Sequence, residues 1–80
     1  MSQQNINRAK IRWRCYRGMR ELDLILIQFF EQHFDELTHS EQQAFAYLLE
    51  QNDPDLLAWL LQQSQPQDEA LKQIVKRITT

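Results

Sequence analysis

Eighty residues fit one domain, and a chain this short buries only about 60% of the surface that its unfolded form exposes, which disfavours a deep enzymatic cleft. Hydrophobic residues at 42% and charged residues at 25% suit a folded soluble domain and argue against disorder along the whole chain, while a single glycine, two prolines and few β-branched residues favour helices over strands. The formal charge of -2 hides a segregation, because Arg8, Lys10, Arg12, Arg14, Arg17 and Arg20 give +6 before any acid, and from Glu21 onward eleven acids face only Lys72, Lys76 and Arg77, for -8.

The first helix is predicted over residues 5–17, with Asn5 as N-cap and an apolar stripe of Ile6, Ala9, Trp13 and Tyr16 flanked by the basic residues. Gly18 sits where a glycine with positive φ would end that helix, and Glu21 and Asp23 favour the positive end of a second one over 19–33. There Leu22, Ile25, Leu26, Phe29 and Phe30 fill the helical template and make it the central helix, while Leu24 and Ile27 add apolar surface opposite. Thr38 and Glu41 match a capping box for a helix over 39–51, with Phe45, Leu48 and Leu49 on its inner face. Asp53 as N-cap with Pro54 at the first helical position begins a fourth helix over 54–63, lined by Leu56, Leu57, Leu60 and Leu61, with Trp59 off the stripe. After a polar break at Ser64 to Gln67, Asp68 and Glu69 open a last helix over 67–78 carrying Leu71, Ile74, Val75 and Ile78, with Lys76 and Arg77 at its negative end. None of these segments is long enough to be stable alone, so the expected fold is all-α, a compact antiparallel bundle of about five short helices around one core.

Sites for chemistry are scarce. Cys15, His33 and His39 lack the paired spacings that bring metal ligands onto one helix face, and neither histidine has an acid, base or nucleophile at helical spacing, so no catalytic and no metal-binding residue is expected. Cys15 reads as a buried thiol rather than a reactive one, and one glycine cannot make a phosphate-binding loop. Met1 to Arg8 carries no apolar signal region and Leu22 to Phe30 is too short to span a bilayer, so a cytoplasmic protein without membrane insertion is expected. What remains is the segment Arg12 to Asp23, in which cations and aromatics crowd the sole glycine. A basic run is usually a solvated face, but six cations without a nearby acid repel one another, and Arg17-Gly18 sets a forked donor beside backbone that another surface can approach closely.

The motif Arg17-Gly18-Met19-Arg20-Glu21, continued by Leu22-Asp23, resembles the Arg-Gly-x-x-Glu signature of the small bacterial and mitochondrial assembly factors that promote covalent attachment of FAD to the flavoprotein subunit of succinate dehydrogenase. The stretch Phe45 to Leu60, with Asp53-Pro54-Asp55-Leu56 and Trp59-Leu60, is similar as well, so the resemblance spans most of the chain, and the lack of a transit peptide suits a bacterial member. It implies a five-helix, chaperone-like protein in which Arg17, Gly18 and Glu21 contact the flavoprotein near its flavin and dicarboxylate site, with Arg8, Arg14, Arg20 and Asp23 extending the contact. The bond to a histidine forms within the partner, so FAD belongs to the flavoprotein and is not stably held by this chain. Fumarate reductase is expected as a further client, and the free factor is expected to be a monomer. The alternative is an antitoxin-like or nucleic-acid-binding regulator, since arginines interleaved with Trp13 and Tyr16 can engage phosphates and bases, but a pI near 5.6 opposes it. A self-associating module built on an exposed Trp59 is a third reading.

Overall fold

Side-chain caps begin four of the five α-helices among the described residues, and the second helix alone starts without one. In the computed structural model, which describes residues 7–80, the Asn7 side chain accepts the Lys10 N–H at 3.1 Å and starts α1 (Arg8–Arg14). Asn5 and Ile6, expected to open this helix, lie outside the described residues. α2 (Arg20–His33) places Glu21 and Asp23 in its first turn and runs into a 3₁₀ turn at Phe34–Glu36. The capping box at α3 (His39–Leu48) is complete, because Thr38 Oγ1 accepts the Glu41 N–H at 3.1 Å and the Glu41 carboxylate accepts the Thr38 N–H at 2.9 Å. That hydrogen bond and the neighbouring Arg77 hold the Glu41 carboxyl below its ordinary range.

α4 (Asp53–Leu60) begins one residue earlier than expected: Asn52, not Asp53, is the N-cap and accepts the Asp55 N–H at 3.1 Å, which leaves the Asp53 carboxylate free for another partner. α5 (Glu69–Thr79) starts on Asp68, whose carboxylate accepts the N–H groups of Ala70 and Leu71. The described residues contain five α-helices and no strand, as expected of an all-α bundle. α3 packs on α5, and α4 packs on both α2 and α5. At their centre Phe30 stacks on Phe34 with centroids 4.7 Å apart, and Phe45 joins Phe29, Phe30 and Phe34 at 5.6–6.4 Å. Leu22, Leu26, Leu48, Leu56 and Ile74 fill the space around them, and Trp59 lies partly buried against this core.

The first helix departs from its expected face. Ile11 and Cys15, one turn apart, are its buried residues, whereas Ala9, Trp13 and Tyr16 face solvent. A helix carrying two apolar rows can turn either inward, and here the row that joins the core is the smaller one. Cys15 is fully buried, its Sγ 3.5 Å from the Ile11 carbonyl, and burial pushes the thiol up to about 12 despite the pull of Arg17 and Arg12. α1 also ends at Arg14, three residues before the expected limit.

Gln62 closes α4 with a φ of +63°, and Gln63 N–H returns to the Ala58 carbonyl at 2.8 Å in a left-handed helix stop. A side chain there costs about 1 kcal/mol relative to glycine. Gln62→Gly should therefore stabilise the fold by roughly 0.5–1 kcal/mol, read as a higher urea midpoint with an unchanged slope. Iodoacetamide at pH 8 should label Cys15 at least a hundredfold more slowly, to order of magnitude, in the native protein than in urea-unfolded chain, because the thiolate is suppressed and covered.

Candidate functional site

Between α1 and α2 the connector 15–19 is bound from two sides. Arg17, whose side chain is only 15% exposed, reaches across to the corner between α3 and α4. Its Nε donates to Asp53 Oδ1 at 2.9 Å, one terminal nitrogen donates to the carbonyls of Leu49 at 2.6 Å and Arg14 at 3.0 Å, and the other donates to the Gln51 carbonyl at 2.9 Å. Leu49 and Gln51 follow the C-terminal end of α3, where backbone carbonyls lack helical partners and the helix dipole is negative, so a cation is favoured there twice over. A guanidinium offers five N–H donors in a planar fork, and four are used within the molecule.

Asp23 holds the other side. From the first turn of α2 its two carboxylate oxygens accept the backbone N–H groups of Arg17 at 2.7 Å and Gly18 at 3.2 Å. These two bonds divert the chain from continuing α1, and they place Gly18 inside the connector rather than at the helix stop. Gly18 has a φ of +86°, and a Cβ added there would meet nothing within 4 Å. Glycine is needed for its backbone conformation, while the open space above it leaves the peptide accessible to another surface.

The cationic segment is only half uncompensated. Arg8 forms a two-pronged pair with Asp35, at 2.9 and 3.1 Å, and lies 4.8 Å over the Phe30 ring; the hydrogen bond draws the Asp35 carboxyl below its ordinary range. Arg12 pairs with Glu31 at 2.7 Å and lies 5.9 Å over the Tyr16 ring. With Arg17 on Asp53, three of the six cations meet acids that are distant in sequence. Lys10, Arg14, Arg20 and also Glu21 are exposed and make no side-chain ion pair among the described residues.

Those free charges surround the apolar groups that the structure leaves outside. Trp13 is 74% exposed and Tyr16 48%, with ring centroids 5.9 Å apart, and Leu24 is 57% exposed. A shallow groove lined by Tyr16, Gly18, Arg20, Asp23, Leu24 and Ile27 runs from the aromatic pair along α2. Arg20, Leu24 and Ile27 share one face of α2 at helical spacing, with Glu21 adjoining Leu24. Gly18, Arg20 and Asp23 thus meet in one groove, with Arg14 and Glu21 on the helices beside it, whereas Arg17 turns inward and Arg8 is engaged by Asp35. Trp13, Tyr16, Leu24 and Asp53 were not singled out as site residues. A second apolar row on the first helix was the available signal for the aromatics, but no local spacing joins Asp53 to Arg17.

Arg17→Ala should lower stability by about 2–4 kcal/mol in urea unfolding, because it strands three carbonyls and the Asp53 carboxylate. Gly18→Ala should cost only about 1 kcal/mol, the penalty of the left-handed conformation alone, so a larger loss than that of Arg17→Ala would refute this division of roles.

Known proteins resemble this chain over most of its length. Residues 9–80 match the family model described as flavinator of succinate dehydrogenase. A protein of Yersinia pseudotuberculosis serotype I named FAD assembly factor SdhE is 53% identical over 72 residues, covering 90% of this chain and 82% of that one. A namesake from Haemophilus ducreyi is 41% identical over 73 residues, with 91% and 89% covered. A solution structure titled as a UPF0350 protein superimposes with a TM-score of 0.72 at 47% identity, covering 88% of this chain and 74% of that one. With nine-tenths of its length matched by the model and by such relatives, the chain belongs to the family of flavinators of succinate dehydrogenase, which are assembly factors and not enzymes.

Proposed function

We propose that this chain binds the flavoprotein subunit of succinate dehydrogenase, and that of fumarate reductase, through the face formed by Trp13, Tyr16 and Leu24 with Arg14, Arg20 and Glu21, and thereby promotes covalent attachment of FAD. The observation that carries this reading is the exposed Trp13–Tyr16 pair beside cations that have no internal acid. Large aromatics next to arginine are the residues that dominate binding energy when a partner covers them, and an apolar patch rimmed by charge marks an interaction surface. Unpaired Arg14 and Arg20 favour an acidic partner surface, and Glu21 sets the register by requiring a donor opposite.

In this reading the factor is a cytoplasmic monomer when free, and FAD stays with the flavoprotein. The chain contributes orientation: docking holds the flavoprotein in the arrangement where its histidine and the flavin stay in attack geometry, an effect that can lower a barrier by several kcal/mol without any group of the factor touching the reacting atoms. The Arg17 fork is turned toward the molecule's own backbone, whereas Trp13, Tyr16, Arg14, Arg20 and Glu21 are exposed.

Deleting the gene should abolish in-gel flavin fluorescence at the size of the succinate dehydrogenase flavoprotein, since only covalently held flavin survives denaturation. Complementation with Trp13→Ala or with the pair Arg14→Glu and Arg20→Glu should restore little of the signal, although each variant unfolds within about 0.5 kcal/mol of the native protein because its side chains are exposed. Full fluorescence in the deletion strain would reject the function.

A further inference from the structure

We propose that Arg17 and Asp53 form a positioning pair for flavinylation: without touching the flavoprotein, they hold the connector in the shape in which Gly18, Arg20 and Glu21 meet it. The inference rests on the reading that this face binds the flavoprotein.

The pair does more than close the fold. Asp53 is not required to start α4, because Asn52 caps that helix and Asp55 supplies a second acid in its first turn. Its carboxylate instead meets Arg17 Nε at 2.9 Å across 36 residues of sequence. The same guanidinium takes carbonyls from α1 and from the α3–α4 corner, so one side chain joins three segments. Directly in sequence, the Arg17 and Gly18 N–H groups are taken by Asp23, whose helix carries Arg20, Glu21 and Leu24. The two arrangements share the Arg17 residue, so its side chain anchors the connector to the body while its backbone anchors the connector to α2.

Without Asp53 the fork loses its one charged partner, the connector is held by the Arg17–carbonyl bonds and the Asp23 bonds, and Gly18 can occupy backbone conformations closed to other residues. Ordering freed residues on docking opposes binding, and a few of them weaken the complex tenfold or more.

The test uses the full chain, purified flavoprotein subunit and FAD. Gly18 is the only glycine, so its amide is readily identified in a nitrogen–proton correlation spectrum. Asp53→Ala and Arg17→Lys should retain native helix content, speed hydrogen exchange at the Gly18 amide, and weaken flavoprotein binding and slow FAD loading by about tenfold. The double variant should be no weaker than the worse single one, since both remove the same constraint. Glu21→Gln and Trp13→Ala should weaken binding with Gly18 exchange unchanged, which distinguishes a contact from a positioning role. The pair's role is overturned if Asp53→Ala frees the Gly18 amide yet binds and loads at the wild-type level, or if it weakens binding while that amide stays protected. Wild-type affinity in both Glu21→Gln and Trp13→Ala would instead reject the binding face, and the positioning role with it.

Discussion

A single guanidinium organises the end of this molecule where α1, α2 and the α3–α4 corner meet. Arg17 is the one cation of the basic segment that is drawn well inside, and a charge so placed is tolerated only when its donors are satisfied. The satisfaction comes from three carbonyls and the Asp53 carboxylate. Because two of the carbonyls lie at the end of α3, the negative pole of that helix faces the cation, and because Asp53 opens α4, the same contact fixes where the next helix departs. Everything exposed on the connector inherits its position from this inward-facing arrangement.

The consequence for recognition is a division between residues that hold and residues that present. Arg17 and Asp23 belong to the first kind, since their polar atoms face the molecule's own backbone. Trp13, Tyr16, Arg14, Arg20, Glu21 and Leu24 belong to the second. The Arg17 side chain fixes the loop, and the Gly18 peptide beside it has open space above it.

Charge behaves in the same divided way. Read linearly, six cations precede an acidic remainder, which looks like an electrostatic dipole awaiting a partner. Folding brings Asp35, Glu31 and Asp53 onto Arg8, Arg12 and Arg17, and so neutralises half of that excess internally. What is left is Lys10, Arg14 and Arg20 around an exposed aromatic pair.

The caps and stripes were legible in the amino-acid sequence because they are local: Thr38 with Glu41, Asp68, and the rows through Leu22, Phe30, Phe45, Leu56 and Ile74 each act within one or two turns, and together they determined an all-helical chain with one apolar core. The Arg-Gly-x-x-Glu motif likewise pointed to the region that carries the exposed face. Three matters were left to tertiary structure. Which row of the first helix turns inward depended on the core that it joins, and Ile11 with Cys15 displaced Trp13 and Tyr16. Whether Asp53 or Asn52 caps α4 depended on Arg17 claiming the carboxylate from 36 residues away. Which motif residues face outward depended on where the unpaired carbonyls of another helix lay. Each of these is a choice between locally equivalent options, settled by groups that meet only after the chain has folded, and no spacing along the chain can encode it.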